Sequence, residues 1–348
     1  MKRFTFLIWL LAATAQGLLA QVPSYYNDVN LSLTGMALKD ELATKIINTH
    51  THHVSYSELW NVYRHTDSSS PGKIYLIYGW ENGHDSDCHN DLERDTAEHG
   101  GSAARCEYNR EHVYPKSLGD PPLGTSGAGS DAHHVRPSDV QMNSHRGNKK
   151  FTDASGHAGP VNDNYWYPGD EWKGDVARII MYLYLRYGTQ CLPRRVGTGP
   201  AVDNDRDMLQ LFLEWNAEDP PSPVEDKRNE YLERLQGNRN PFIDNPYLAT
   251  LIWGGPRAED RWNMAVDETT LQAAVHVWPV PARQQVFVEN LSGEAVDYTL
   301  YDADGKQLWN THNESEQTSV PVARLRKGVY FLVVTTGRAA IVRRIVKD

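Results

Sequence analysis

The chain has 348 residues, of which 40% are hydrophobic, and a formal net charge of -10 at pH 7. This length and apolar content favour a globular protein of more than one domain and exclude a largely disordered chain. The negative charge argues against broad coating of nucleic acid, although it leaves room for a local site at which positive side chains are gathered.

The first twenty residues, MKRFTFLIWLLAATAQGLLA, are typical of a secretory signal peptide. Lys2 and Arg3 precede an apolar run that ends in small residues suited to cleavage. A membrane-spanning helix needs about 20 apolar residues, whereas this run is shorter and interrupted by polar residues. We therefore predict a signal peptide at 1–20, a secreted protein and no membrane span.

Residues 34–80 are interpreted as scaffold. Positions 34–66 carry apolar residues at helical spacing, and a strand is predicted for KIYLIYGW at 73–80. The cluster His50, His52 and His53 could indicate a metal site, but three histidines at a helix end are more often a polar, solvated cap.

The three cysteines are Cys88, Cys106 and Cys191. Secretion permits disulfides, and an odd count leaves one cysteine unpaired. Cys88 and Cys106 flank a polar, glycine-containing segment, so a bond between them would brace the approach to the stretch that follows. We predict this disulfide and a buried free thiol at Cys191.

Residues 106–151 form the candidate site. A strand is predicted for CEYNREHVYP, a long loop for KSLGDPPLGTSGAGS, and a second strand and a short helix for DAHHVRPSDVQMNSHRGNKKF. Ser138 and Gln141 form a capping-box pattern, which predicts that the helix begins there and ends near Gly147. We expect one helix face to carry Asn143, Arg146 and Lys150.

This segment contains the groups that metal-dependent cleavage of a phosphodiester requires. His112 can be a neutral base near pH 7, because an unperturbed imidazole has a pKa of about 6.5. Glu111 and Asn143 offer oxygen ligands that suit a hard ion such as Mg²⁺. Seven Lys or Arg residues against five Asp or Glu residues make 105–150 locally positive. The candidates for phosphate contacts there are Arg110, Arg136, Arg146, Lys149 and Lys150.

The order of these pieces favours catalysis more than any single residue does. A lone Glu-His pair on a strand is usually a surface ion pair, and an asparagine in a short helix is more often structural than a ligand. In a regular strand Glu111 and His112 would point to opposite faces, so both can serve one phosphate only if the strand ends or bulges there. Pro115 favours such a break.

The second half of the chain contains a helical part and a β part. Helices are predicted within 164–253, a linker at 254–270, and a small β-sandwich at 271–348, where Asp304-Gly305 is a hairpin signal. The ending KGVYFLVVTTGRAAIVRRIVKD resembles the C-terminal sorting domain of proteins exported by the type IX secretion system. That resemblance implies an address that the type IX secretion machinery reads. A plain adhesive or carbohydrate-binding sandwich is the alternative.

The paired blocks NREHVYPKS and DAHHVRPSDVQMNSHRGNKKF resemble the bacterial endonuclease I family, whose nuclease core is the ββα-metal motif. Further similar blocks, such as VSYSELW and QGNRNPFIDNPYLATLIW, extend the resemblance over most of 25–253. It implies an α+β fold, with a catalytic domain at 22–253. It also implies non-specific cleavage of DNA, and in many members RNA, that leaves 5′-phosphorylated ends.

The resemblance also assigns roles to residues. It implies that His112 is the general base and that Glu111 and Asn143 hold a single metal ion, Mg²⁺ or another divalent ion such as Ca²⁺ or Mn²⁺. Some members place a transition-state arginine in a longer insertion after the His strand, whereas the loop here contains no arginine. Arg146, Arg136 or Arg239 must then take that role, or the transition state is stabilised less. We prefer Arg146 because its helix face also carries Asn143. The residues expected at substrate phosphates are Arg110, Lys150 and Arg239.

Two other classes of function remain open. A zinc-dependent hydrolase of peptides or esters would need a closed ligand pattern such as His-Glu-x-x-His, which the sequence lacks. A secreted nucleic-acid-binding or adhesion protein without catalysis would tolerate a decayed site, whereas Glu111, His112 and Asn143 are all present. For the nuclease that we predict, we expect a monomer.

Overall fold

The structure is a computed structural model that describes residues 22–83, 85–264, 268–292, 296–313, 315–336 and 339–348. The predicted signal peptide at 1–20 lies outside these ranges. The expected α+β fold is confirmed, with a helix-rich part followed by a sheet-rich part. None of the helices in the described ranges combines the length and the apolar character that a membrane crossing demands.

The helices are α1 (Gly35–Thr49), α2 (Leu59–Thr66), α3 (Val140–Arg146), α4 (Lys173–Tyr187), α5 (Gln210–Glu218), α6 (Pro223–Gln236), α7 (Pro241–Asp244), α8 (Tyr247–Trp253) and α9 (Glu268–Ala274). The strands of the helix-rich part are β1 (Ser68–Ser70), β2 (Lys73–Tyr75), β3 (Glu93–Asp95), β4 (Tyr108–His112), β5 (Val135–Asp139), β6 (Lys150–Phe151), β7 (Gly159–Pro160), β8 (Tyr165–Tyr167), β9 (Ala201–Val202) and β10 (Asp205–Leu209). The strands of the sheet-rich part are β11 (Val275–Trp278), β12 (Gln285–Asn290), β13 (Val296–Tyr301), β14 (Gln307–Asn313), β15 (Gln317–Pro321), β16 (Gly328–Thr335) and β17 (Ala340–Lys347).

Helix α4 is the centre of the larger core. Its residues 174–185 are all buried, including the charged Asp175 and Arg178. Helices α1, α5 and α7 pack against it. Gly188, with φ +53°, ends the helix in a conformation that glycine adopts without a steric penalty.

Buried ion pairs connect this core to the strands that carry the candidate site. The guanidinium of Arg136 on β5 lies 3.1 Å from Asp67 and 2.9 Å from Asp175 on α4. Arg178 on α4 lies 2.6 Å from Glu225 on α6. Charges this deeply buried persist only when they are paired, so these contacts fix β5 relative to α4 and α6.

Strands β4 and β5 form an antiparallel pair, and α3 follows β5 directly. The ββα order of the sequence prediction is therefore present. The N-cap of α3 is Asp139, whose carboxylate accepts from two backbone N–H groups, and not Ser138. Because α3 ends at Arg146, Lys150 lies on β6 and does not share a helix face with Asn143, contrary to our expectation.

The disulfide between Cys88 and Cys106 is present, and Cys191 is a buried free cysteine, as predicted. Arg94 lies between Cys88 and Cys106 in the sequence, and its guanidinium donates to the backbone oxygens of both cysteines. The disulfide and this arginine together brace the chain directly before β4.

The sheet-rich part is the predicted β-sandwich. One sheet has the strand order β11-β12-β15 and the other β14-β13-β16-β17, with a separate apolar core formed by both. Gly305, at φ +81°, forms the predicted turn between β13 and β14. Residues 254–264, which precede the sheet-rich part in the chain, pack on the helix-rich part. There Arg261 lies 2.6 Å from Asp226 on α6.

Candidate active site

An open cavity of about 390 Å³ lies where β4, the loop after it and the end of α3 meet. Its lining residues are Tyr56, Arg110, Glu111, His112, Pro115, Lys116, Ser117, Asn143, Gly147 and Asn148. The predicted base, both predicted metal ligands and one predicted phosphate contact therefore line a single cavity. Lys150 lines an adjoining hollow of about 360 Å³, which shares Asn148 with the first.

Glu111 and His112 reach the same cavity because β4 ends at His112. The pairing of Glu111 with Arg136 and of His112 with Val135 continues the register without a bulge. Of the two expected arrangements, the structure has the strand end and not the bulge. Both residues are still paired in the ladder, which ends after His112, and both line the cavity at this strand end.

Two buried side chains, Tyr78 and Arg146, contact the carboxylate of Glu111. Its Oε1 accepts a hydrogen bond from the hydroxyl of Tyr78 at 3.1 Å and lies 3.5 Å from the guanidinium of Arg146. Burial raises the pKa of Glu111 to about 7, although Arg146 and Tyr78 both oppose this shift. A cation in the cavity would favour the charged carboxylate, because an opposite charge nearby lowers the pKa of an acid.

The imidazole of His112 is fixed in one tautomer. Its Nε2 lies 2.8 Å from the backbone oxygen of Gly129, which can only accept, so Nε2 carries the proton and Nδ1 is left as an acceptor. The ring stacks on Tyr56 with 5.5 Å between centroids. Burial, reinforced by His134, lowers the pKa of His112 to about 3. The ring is therefore neutral at pH 7 and can accept a proton at Nδ1.

The amide of Asn143 is oriented by a neighbour on β4. Its Nδ2 donates to Oδ1 of Asn109 at 2.6 Å. No side chain or backbone group of the described ranges donates to Oδ1 of Asn143, which leaves that oxygen as a ligand for a cation. Sequence reasoning missed Asn109, since nothing in its spacing distinguishes it from an ordinary strand residue.

Arg146 lies beneath the cavity and does not line it. Its guanidinium donates to the backbone oxygen of His112 at 3.3 Å and of Val113 at 2.6 Å, and its side chain is fully buried. These contacts hold the end of β4 and the Glu111 carboxylate in place. The geometry supports a positioning role for Arg146, whereas we had expected a direct contact with the transition state.

The structure does not bring Arg136 or Arg239 to the cavity. Arg136 is 1% exposed and is held by carboxylates on either side. Arg239 lies 2.6 Å from Glu233 and donates to both oxygens of Asp244. Neither guanidinium is available to a substrate phosphate, so the sequence-based expectation for these two arginines is not supported.

Arg110 and Lys116 are the cationic side chains at the cavity wall. The guanidinium of Arg110 lies 3.7 Å from the ring of Tyr56 and 4.3 Å from that of Trp60, and it donates to the backbone oxygen of Tyr56 at 2.7 Å. Lys116 is exposed. The sequence did not single it out as a phosphate contact, although it directly follows Pro115. Tyr56 lies in the block VSYSELW, which carried part of the family resemblance.

The donor set fits a hard divalent ion. Glu111 and Asn143 present one carboxylate and one amide oxygen, which suits an ion such as Mg²⁺ that keeps most of its waters. Within the described ranges, no group of three or more His, Cys, Asp or Glu residues could hold a metal ion. A closed three-ligand zinc site of the kind that the hydrolase alternative requires is thus not formed by those residues.

The chain is similar to known proteins over both of its parts. The family model of endonuclease I matches residues 34–247, and that of the secretion system C-terminal sorting domain matches residues 276–348. An extracellular ribonuclease of Bacillus amyloliquefaciens is 38% identical over 247 residues, which are 67% of this chain and 79% of that protein. An extracellular ribonuclease of Bacillus subtilis (strain 168) is 39% identical over 249 residues, 67% of this chain and 80% of that protein. A periplasmic deoxyribonuclease of Aeromonas hydrophila is 25% identical over 124 residues, 33% of this chain and 47% of that protein.

Proposed function

This chain belongs to the endonuclease I family, and from that premise we propose that it hydrolyses phosphodiester bonds of both RNA and DNA, without sequence specificity and with a divalent metal ion. It is a secreted endonuclease with a C-terminal sorting domain for type IX secretion. Relatives named as ribonucleases and as deoxyribonucleases support both substrates. The observation that carries the proposal is the convergence of Glu111, His112 and Asn143 on one cavity.

His112 is the proposed general base. Its Nδ1 takes a proton from the attacking water, while the Nε2–H bond to Gly129 stabilises the imidazolium that forms. The water oxygen bonds to phosphorus as the bond from phosphorus to the 3′ oxygen breaks, so the product carries a 5′ phosphate. When bound, the metal ion supplies positive charge for the phosphoryl oxygen and for the departing oxygen.

The other residues position the groups that react. Glu111 and Asn143 hold the ion, with Mg²⁺ as our first choice and Ca²⁺ or Mn²⁺ as alternatives. Arg110 and Lys116 contact the phosphates at the cavity wall. Lys150 contacts a phosphate in the adjoining hollow. Contacts to phosphates carry no sequence information, which agrees with cleavage that ignores sequence.

Supercoiled plasmid and a long RNA, each incubated with the purified protein, test this function. We expect nicking and RNA degradation with Mg²⁺, Mn²⁺ or Ca²⁺, and none after the ions are chelated. His112→Ala should abolish cleavage, whereas His145→Ala, which changes an exposed histidine of α3, should leave it intact. Cleavage that persists in chelator would exclude the metal, and full activity of His112→Ala would exclude the base.

We also propose a division of the chain. The protein is a monomer with a catalytic domain at 22–253, a linker at 254–270 and a sorting domain at 271–348. The apolar core of the sandwich, which is separate from the two apolar clusters of the helix-rich part, supports this division. Removal of 271–348 in a host with type IX secretion should keep the nuclease activity inside the cell envelope, whereas the full chain should deliver it to the medium.

A further inference from the structure

A second concave surface, of about 480 Å³, lies at the end of α2, away from the residues that line the candidate active site. We call it the basic basin. Its lining residues are Arg64, Ser68, Ser69, Ser70, Pro71, Gly72, Lys73, Thr96 and Lys227. Three of these are cations, and no Asp or Glu is among them. In a chain with a formal net charge of -10, such a lining is suited to an anion.

The cations of the basic basin are available to a ligand. Arg64 and Lys73 are exposed, and neither side chain forms a hydrogen bond or an ion pair within the described ranges. Lys227 is exposed as well, and its ammonium lies 3.1 Å from the backbone oxygen of Ser68, at the rim of the basin. Asp95 is opposite Lys73 in the strand pair, but its carboxylate accepts from the backbone N–H of Ala97 at 2.8 Å.

These three side chains contrast with the arginines of the interior. Arg136, Arg178, Arg228 and Arg239 each lie against one or more carboxylates. Acidic side chains thus neutralise these four arginines, whereas the lining of the basic basin contains no carboxylate.

Helix α2 connects the basic basin to the active site. Trp60, near its start, lies against Arg110 of the catalytic cavity with 4.3 Å between guanidinium and ring. Arg64 is four residues further along, which is about 6 Å of axial rise on nearly the same helix face. A nucleic-acid strand carries a phosphate about every 3.4 Å of duplex axis, so a strand that enters the catalytic cavity can continue along α2 to the basic basin.

We propose that the basic basin binds backbone phosphates of the polynucleotide substrate, at a distance from the bond that is cleaved. This inference rests on the proposed nuclease function and adds a second phosphate subsite to it. Because the basin does not touch the reacting phosphate, it contributes to substrate affinity and not to the chemical step. It serves RNA and DNA alike, since both present the same phosphodiester backbone.

Equilibrium binding tests the proposal. A fluorescent 30-nucleotide single strand is titrated with the full-length protein in chelator, at several salt concentrations. The variant Arg64→Gln/Lys73→Gln should bind about 10-fold more weakly, and the slope of log affinity against log salt should be shallower by about 1.4, or about 1.8 with a duplex. The control Arg324→Gln/Lys327→Gln removes the same two charges from exposed positions of the sandwich and should bind like the wild type. Lys227→Gln should lower the slope by about half as much as the double variant.

Steady-state kinetics supply the second readout. With a long substrate and a metal ion, the Arg64→Gln/Lys73→Gln variant should show a KM raised about 10-fold and an unchanged kcat. A fall in kcat, or a salt slope equal to that of the wild type, would overturn the proposal. Thermal unfolding of each variant shows whether the fold is intact, since both side chains are exposed and should not affect the melting temperature.

Titration with inorganic phosphate distinguishes a free ion from a backbone. If millimolar phosphate binds with an affinity that depends on Arg64 and Lys73, while oligonucleotide binding does not, the basin takes a free ion and the proposal is wrong. Failure of the proposed function has a different signature. A wild-type protein that cleaves no nucleic acid with any metal refutes that function, whereas cleavage with unaltered salt slopes in the variants refutes only the basic basin.

Discussion

The guanidinium of Arg146 lies 3.5 Å from the carboxylate of Glu111 and also donates to the backbone oxygens of the next two residues, His112 and Val113. One buried side chain thus fixes the predicted metal ligand and the strand end that presents the predicted base. The geometry of the site therefore depends on a residue that does not reach its surface.

Arg146→Ala should destabilise the fold and disable the site together. Removal of one member of a buried ion pair costs about 3 to 5 kcal/mol, because it leaves the other member without a partner. The free energy of unfolding from urea titration checks this value. Arg146→Lys should restore part of the stability and of the activity, since an ammonium can keep one of the three contacts. An Arg146→Ala protein with wild-type stability and wild-type kcat would contradict the positioning role.

Tyr78→Phe should weaken metal activation without unfolding the protein. The hydroxyl of Tyr78 is a hydrogen-bond donor to Glu111, and such supporting contacts affect metal affinity by about 10- to 100-fold. The concentration of Mg²⁺ at half-maximal activity should rise accordingly, while kcat at saturating metal stays near the wild-type value. Tyr63→Phe is the matched control, because the hydroxyl of Tyr63 is also buried but has no hydrogen-bond partner in the described ranges. If Tyr78→Phe reaches half-maximal activity at the same Mg²⁺ concentration as the wild type, Tyr78 does not support metal binding.

The buried histidines should make a contribution to stability that is lost in mild acid. Burial lowers the pKa of both His133 and His134 to about 4. The backbone N–H of Tyr114 donates to Nε2 of His134, and Nδ1 faces the oxygen of Ala128 at 2.6 Å, so a second proton has no acceptor there. Since the unfolded chain binds these protons with a pKa near 6.5, stability is complete above that pH and is lost as the pH falls through 4.

Each of these histidines should contribute a slope of up to about 1.4 kcal/mol per pH unit between pH 6.5 and 4. The free energy of unfolding, measured by urea titration at several pH values, checks this slope. His134→Gln removes one titrating group and should reduce the slope of the unfolding free energy against pH by up to about 1.4 kcal/mol per pH unit. His145→Gln changes an exposed histidine and should leave the slope unchanged. A pH dependence of His134→Gln identical to that of the wild type would contradict the prediction.

Loss of the disulfide should destabilise the approach to β4. Cys88 and Cys106 are 18 residues apart, and a loop of this size contributes about 3 kcal/mol in the chain-entropy description. Cys88→Ser/Cys106→Ser should therefore lower the free energy of unfolding by about that amount. Dithiothreitol should have the same effect on the wild type and none on the variant, because Cys191 forms no disulfide. Equal sensitivity of both proteins to the reductant would show that another process is responsible.

Much of the fold was predictable because local patterns agree with the final contacts. The strand, loop, strand and helix of 106–151, the hairpin at Asp304-Gly305 and the Cys88–Cys106 bridge all follow from period, turn residues and cysteine count. The bounds of α3 were less predictable, because Ser138 and Asp139 are both good N-cap residues and only the hydrogen bonds select between them.

The chemistry of Glu111, His112 and Asn143 is a property of residue type and order, so the sequence was sufficient to propose it. The roles of the arginines were not accessible in this way, because a guanidinium has the same charge whether it faces a substrate or a buried carboxylate. Only the tertiary structure shows that Arg136 and Arg239 are neutralised inside the protein, while Arg110 faces the cavity. The basic basin could not be predicted for a similar reason. Lys227 is distant in sequence from Arg64 and Lys73, and packing of α6 against α2 and β2 brings the three charges to one surface.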